Sequence, residues 1–390
     1  MTDDDDIKND LNGNGSYDLV TPQDYEYEHP FNFLHGGSIP RLNIRYETYG
    51  TLNADKSNAI LICHALTGNH HVAGRNKPDD KAPGWWDHFI GPGKAIDTNK
   101  YFVICNNCLG GCSGTTGPAS INPETGDPYG IDFPVFTFED MVEAQKLLID
   151  HLGISCLHAV VGGSMGGMQA LVWAVRHPDR VKNVVTMACP AKQNTQAMAF
   201  NCVARAAIFE DPGWKEGYYA EQEGYGPMVG LSVARMMAHI TYLSDFSLEK
   251  KTHRPADPLP GDTPTARFKR AITPPIWSYL RHQGEKFLGR FDANCYLYIS
   301  AATDFFNIAG DKSLVEAFAP VQARVLSVGI STDWLYPAWQ NREITIALNR
   351  AGKEAYYAEI EAANGHDSFL LRSDHLNDTV SRFLAGGSPL

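Results

Sequence analysis

The sequence predicts an α/β fold, a mostly parallel sheet interrupted by a helical insertion, on three observations. Continuous apolar runs such as LHAVVG (157–162) and VKNVVTMA (181–188) alternate with amphipathic helical segments, the pattern of strands covered by helices on both faces. The alternation stops at Pro190 and resumes at ARVLSVG (323–329). Residues 191–322 between them carry helical runs without strand alternation. A core domain is therefore expected over 18–190 and 323–390, with 191–322 as a helical lid domain.

In chain order, residues 1–17 (MTDDDDIKNDLNGNGSY) are expected as a disordered acidic tail. They lack the basic and apolar regions of a secretory signal, which points to a cytoplasmic protein. NIRYETYG (43–50) and AILICHAL (59–66), separated by the polar turn Asn53–Asn58, are expected as neighbouring strands, and Tyr101–Asn106 as a third. Thr137 and Asp140 form a capping-box pattern ahead of a helix with Met141, Ala144, Leu147, Leu148 and Leu152 on one face, closed by Gly153. Further helices are expected from Met165 to about Arg176, near Ala338–Arg350, and from about Ser368 to Leu384, with EAYYAEI (354–360) as a strand. In the insertion, AFNCVARAAI (199–208) and GLSVARMMAHITYL (230–243) have helical period, and Thr252–Pro275 reads as a proline-rich loop.

Composition excludes several classes of function. Among 390 residues, 33 Lys and Arg against 45 Asp and Glu give a net charge of −12, which disfavours nucleic acid and anionic membranes as partners. No apolar run approaches the roughly 20 residues a membrane helix needs. Eight cysteines are too dilute for a disulfide scaffold and read as reduced thiols. Cys105, Cys108 and Cys112 lack a fourth ligand at metal spacing, so no metal is expected there.

The chemistry concentrates at Gly162-Gly163-Ser164-Met165-Gly166-Gly167, between an apolar strand and a helix. A G-x-S-x-G at such a turn exposes the serine in a strained conformation that flanking glycines permit. Its base and orienting acid should follow in the order Ser, Asp, His, the order of the α/β-hydrolase fold. Asp333 follows ARVLSVGI and His366 follows EAYYAEI, each just beyond a predicted strand. The backbone N–H groups of Met165 and Leu66 are the expected oxyanion donors, with His64 bracing the second loop. The glycine-rich stretch 109–117 lacks the Gly-Lys-Ser/Thr ending of a P-loop and is expected to shape the pocket mouth. Arg235 and Tyr242 share a helix face two turns long, and Arg235 suits either a substrate carboxylate or a structural salt bridge.

Together these motifs resemble the homoserine O-acyltransferase family, most nearly its acetyl-transferring members. The resemblance spans about Tyr27–Leu384 and rests on HALTGNHHVAG (64–74), GWWDHFIGPGKAIDT (84–98), LGGCSGTTGP (109–118), GGSMGGMQAL (162–171), ARMMAHITYLS (234–244) and GHDSFL (365–370). It implies a ping-pong transfer of acetyl from acetyl-CoA to the hydroxyl of L-homoserine, in methionine synthesis, with no permanently bound cofactor. It further implies Ser164 as nucleophile, His366 as base, Asp333 as its orienting acid, Arg235 and Tyr242 on the substrate carboxylate, Asp367 on its ammonium, and a homodimer. GGSMGG resembles acetyl-type members, whereas succinyl-type members more often carry leucine after the serine. Succinyl transfer, to homoserine or serine, and a plain serine esterase are the competing readings, because a triad alone does not choose between water and an alcohol as acyl acceptor.

Overall fold

The computed structural model describes residues 19–219, 226–252 and 263–389; the tail expected over 1–17 lies outside them. Its centre is an eight-stranded sheet, in chain order β1 (Gln23–Tyr27), β2 (Leu42–Tyr49), β3 (Ala59–Cys63), β4 (Phe102–Asn106), β5 (Leu157–Gly163), β6 (Val181–Met187), β7 (Arg324–Ile330) and β8 (Ala355–Ile360). The spatial order is β1-β2-β4-β3-β5-β6-β7-β8. β2 runs antiparallel to both its neighbours and every other pairing is parallel. The strands are apolar because both faces are covered. Ala59, Leu61 and Cys63 enter one buried cluster and Ile60 and Ile62 the other, following the two-residue period of a strand.

Helices α1 (Phe138–His151) and α2 (Met165–Arg176) flank β5 in sequence. Asp140 begins α1 by accepting from both the Thr137 N–H and the Thr137 hydroxyl, at 2.8 and 3.0 Å. Its other oxygen accepts from the Leu34 N–H at 2.8 Å, which ties the helix start to a distant segment. Between β6 and β7 lie α3 (Thr195–Phe209), α4 (Met228–Tyr242), α5 (Asp245–Lys251), α6 (Pro264–Ile272), α7 (Pro275–Leu288) and α8 (Ala293–Phe305). A separate buried cluster, including Ile208, Leu231, Ala234, Phe287 and Tyr296, holds α3, α4, α7 and α8 together. Helices α9 (Ala338–Arg350) and α10 (Asp374–Leu384) complete the chain.

Three expectations are corrected. The strands on either side of Asn53–Asn58 are not neighbours, because β4 lies between them. Asn58 accounts for this: its amide donates to the Lys100 carbonyl at 2.9 Å and its own carbonyl accepts from Phe102, so the turn straddles the start of β4. The expected loop 252–275 contains α6, since Thr263 caps it and Pro264 occupies the first turn, where a proline starts a helix rather than breaking it. Residues 253–262 of that loop lie outside the described residues. The last helix starts at Asp374, capped by Ser373, while His366–Leu370 is a separate 3-10 turn ended by extended Leu371. Strand β1 goes unpredicted from sequence: as an edge strand with mostly exposed residues it carries little apolar signal.

The register aligns the carboxyl ends of the parallel strands: Cys63 faces Gly162, Gly163 faces Met187, Met187 faces Val328, and Ile330 faces Ile360. The loops leaving β3, β5, β7 and β8 therefore emerge along one edge, where open α/β sheets place their ligands.

Asp140→Ala should strand the Thr137 and Leu34 N–H donors and lower stability by about 1–3 kcal/mol. Urea unfolding of the variant beside the unchanged chain measures this.

Candidate active site

Ser164 stands between β5 and α2 with φ 55° and ψ −123°, a conformation that costs a non-glycine residue energy. The surrounding packing leaves it no alternative. A Cβ on Gly166 would lie 1.9 Å from the Cys63 carbonyl oxygen, and one on Gly162 2.3 Å from the Gly166 backbone. Only glycines let α2 begin this close to β3. The Ser164 N–H donates to the Met187 carbonyl at 2.8 Å, and its carbonyl accepts from Gly167 and Met168.

The structure brings Ser164, His366 and Asp333 together. The Ser164 Oγ lies 2.8 Å from His366 Nε2, and His366 Nδ1 lies 2.6 Å from Asp333 Oδ2. With Nδ1–H donating to the carboxylate, Nε2 is free to accept from the serine hydroxyl. Asp333 Oδ1 accepts from the Leu335 and Tyr336 N–H groups at 3.0 and 2.9 Å, which fixes the carboxylate. Thr332 joins the two loops by donating to the Ala362 carbonyl at 2.6 Å and accepting from the Gly365 N–H at 3.0 Å. His366 and Asp333 are buried, at 2% and 4% exposure. Burial alone would lower the His366 pKa, but the Asp333 charge, its hydrogen bond and the nearby Asp367 together hold it above the ordinary histidine value.

Met165 occupies the first position of α2, where a helix N–H has no acceptor within the helix. Leu66 and Met165 line the same cavity as Ser164, a space of about 540 Å³ including its open mouth. His64 braces the Leu66 loop: it contacts the Ala65 carbonyl through Nδ1 at 2.8 Å and accepts from the Cys108 N–H at Nε2 at 2.9 Å. Burial drives its pKa down to about 4, so the ring is neutral and suited to this accepting role.

Tyr242 lines the cavity, with its ring 5.9 Å from that of His366. Arg235 and Asp367 both lie close enough to Tyr242 to act on it electrostatically. The Arg235 guanidinium lies 5.8 Å from the Tyr242 ring and 4.8 Å from that of Phe287, and donates to the Thr67 hydroxyl at 3.3 Å. Burial raises the Asp367 pKa, although the charges of His366 and Arg235 oppose the rise. Arg235 and Asp367 thus lie within each other's field, yet neither forms an ion pair among the described residues.

The glycine-rich segment 109–117 supplies none of the residues lining the cavity. It packs tightly: a Cβ at Gly110 would strike the Phe136 ring and one at Gly114 the Arg45 side chain. Sequence reasoning missed Gln193 and Tyr336, both buried and lining the cavity, as well as Thr67. Tyr336 was findable, three residues beyond Asp333 on the same loop; Gln193 carries no local signal.

Comparison with known proteins agrees with this geometry. A family described as the alpha/beta hydrolase fold matches residues 58–372. Homoserine O-acetyltransferase from Methanosphaerula palustris is 51% identical over 95% of this chain and 74% of its own length. Homoserine O-succinyltransferase from Neisseria meningitidis is 46% identical over 96% of this chain and 98% of its own. Among solved structures, homoserine O-acetyltransferase from Bacillus anthracis superposes with a TM-score of 0.87 at 35% identity, covering 94% of this chain and 98% of that one. Esterase E22 superposes with a TM-score of 0.85 at 30% identity, covering 94% and 100%. The chain belongs to the α/β-hydrolase family and, within it, to the homoserine O-acyltransferase family.

Proposed function

We propose that this enzyme moves an acetyl group from acetyl-CoA to the hydroxyl of L-homoserine through an acyl-serine intermediate. The acyl-serine intermediate rests on the unbroken chain from the Ser164 hydroxyl through His366 to Asp333, at 2.8 and 2.6 Å, and transfer to homoserine rests on the similarity to a homoserine O-acetyltransferase across 95% of this chain. In the first half-reaction His366 takes the Ser164 proton as Oγ adds to the thioester carbonyl. The oxyanion accepts from the Leu66 and Met165 N–H groups, then collapses, and the thiol of CoA leaves with the proton from His366. In the second, His366 deprotonates the homoserine hydroxyl, which attacks the acyl-serine and returns Ser164 to its starting state.

Arg235 and Asp367 support an amino acid as acceptor. A cation and a carboxylate in each other's field without an ion pair suit a zwitterion, whose carboxylate meets Arg235 beside Tyr242 and whose ammonium meets Asp367. The 191–322 helices act as the lid that keeps water from the acyl-serine, which favours transfer over hydrolysis. We further propose that the enzyme works in the cytoplasm as a homodimer, serves methionine biosynthesis, and takes acetyl-CoA as co-substrate with no resident cofactor.

Acetyl is favoured over succinyl because a succinyl carboxylate needs a cation near Ser164, and stranding it in an apolar pocket costs several kcal/mol. Leu66, Met165 and Leu335 on the cavity wall are apolar. Arg205, the cation of α3, is already engaged by Asp304 and Ser300. The Neisseria relative keeps succinyl transfer as the second reading.

Mixing the enzyme with acetyl-CoA or succinyl-CoA and measuring intact mass should give an acetyl adduct that homoserine discharges. Ser164→Ala should lose both the adduct and turnover, by on the order of 10⁴ to 10⁶ in rate. A larger kcat/KM for succinyl-CoA would overturn the donor assignment, and an adduct on the alanine variant would overturn the nucleophile. Arg235→Ala should leave acetyl-enzyme formation nearly intact and weaken homoserine use by about 2–4 kcal/mol. Single-turnover acylation beside homoserine saturation separates these effects. The pH profile follows from His366, which must be neutral to act. Activity should fall as pH drops through a value above the ordinary histidine range, and Asp333→Asn, by removing the charge that favours imidazolium, should move that limb to lower pH while slowing kcat by about 10⁴.

A further inference from the structure

The turn that carries Leu66 continues into His70 and His71, two histidines the reaction does not use. His71 meets a carboxylate on β2, Glu47, which is fully buried at 0% exposure. Glu47 Oε2 lies 2.9 Å from His71 Nδ1 and accepts from the Tyr49 hydroxyl at 2.5 Å, while Oε1 accepts from the Asn76 amide at 2.8 Å. Tyr49 in turn accepts from the Val72 and Ala73 N–H groups at 3.1 and 3.3 Å. Burial alone would raise the Glu47 pKa, but His71, Tyr49 and Asn76 together hold it below the usual carboxylate value. His70 stands 3.7 Å away, beyond hydrogen-bond reach, and takes no part in this grip.

The gripped segment is continuous with the oxyanion loop. His71 N–H donates to the Asn69 side chain at 3.0 Å, Trp85 donates to the Asn69 carbonyl at 2.9 Å, and Gly68 N–H closes a turn on the Ala65 carbonyl at 2.9 Å. Residues 64–71 are therefore anchored at two points, by His64 at one end and by Glu47 through His71 at the other. A loop fixed at one end alone would let the Leu66 N–H drift, and a misplacement of about 1 Å near reacting atoms costs on the order of 100-fold in rate.

We propose that Glu47 is a positioning residue for acyl transfer: from inside the sheet it clamps the His71 and Asn76 side chains and, through Tyr49, the Val72 and Ala73 backbone, and thereby holds the Leu66 N–H where the oxyanion forms. The proposal rests on the acyl-serine mechanism proposed for this site. It explains why a charge is buried so far from any reacting atom. Charge-assisted hydrogen bonds are stronger and more directional than neutral ones, and this carboxylate gathers donors from both ends of one segment.

The test separates transition-state geometry from substrate binding. A trifluoromethyl ketone analogue of acetyl-CoA adds to Ser164 and places an oxyanion in the hole, whereas CoA itself makes no such contact. Glu47→Gln should weaken the ketone by about tenfold or more and lower kcat in step, with CoA affinity unchanged. His71 is half-buried, so its variants decide the question if Glu47→Gln does not fold. His71→Leu should reproduce the selective loss, and His71→Asn, which keeps a donor near the Nδ1 position, should restore ketone affinity to within roughly threefold. A folded His71→Leu that binds the ketone as tightly as the unchanged enzyme overturns the proposal, as does one that loses ketone and CoA affinity equally. An acyl adduct surviving Ser164→Ala would instead overturn the underlying mechanism.

Discussion

The close approach of α2 to β3 is the constraint on which the site depends. Where the Gly166 α-carbon meets the Cys63 carbonyl there is no room for a single added carbon, and the helix starts nearer the sheet than side chains would allow. Ser164 accepts a positive φ as a result, and its hydroxyl stands clear of the helix at the edge of the sheet. The strain is local, and the apolar strands on either side hold the backbone against relaxing. Because β3 is the contacting strand, the same approach brings the Leu66 loop beside the serine, so the proposed nucleophile and one proposed oxyanion donor are set by a single contact.

Charge is distributed around this serine in two ways. Asp333 is enclosed and satisfied, with His366 on one oxygen and two backbone N–H groups on the other, so its task is to hold. Asp367, the next residue after His366, is desolvated without an ion pair among the described residues and lies in the field of Arg235. These two carboxylates thus sit in different environments, decided by their hydrogen bonds rather than by residue type.

Much of this was legible in the sequence, and the boundary is physical. Unbroken apolar strands, the glycine elbow and the order of serine, aspartate and histidine are local patterns, and β5, β6, β7 and β8 lie where those patterns put them. The insertion of β4 between β2 and β3 is long-range, fixed by Asn58 reaching the Lys100 carbonyl, and no short window of residues contains both. Pro264 reads as loop because proline breaks helix interiors, although with Thr263 ahead of it the same residue starts one. The glycines of 109–117 look like a ligand loop, yet their freedom serves contacts with Phe136 and Arg45. Glu47 is invisible for a related reason: a lone acidic residue in NIRYETYG reads as a solvent-facing strand position, and only the fold reveals what surrounds it.

The joint between α4 and α5 touches the triad from above. The Leu243 carbonyl accepts from the Trp334 indole at 2.9 Å, next to Asp333 in sequence, and the Ser244 hydroxyl donates to the Ala363 carbonyl. The Ser244 backbone lies so near Gly365 that a Cβ there would come within 2.4 Å. Both loops that carry Asp333 and His366 are therefore pinned to the end of α4, a helix that lines the cavity. If the 191–322 helices act as the proposed lid, lifting them pulls on the same backbone that aligns His366, so exposure and disarming become one event. On the proposed mechanism, an acyl-serine met by water in the opened enzyme would face a base no longer in line, and the partition between productive transfer and wasteful loss would be written into a mechanical linkage rather than into the chemistry of the acceptor.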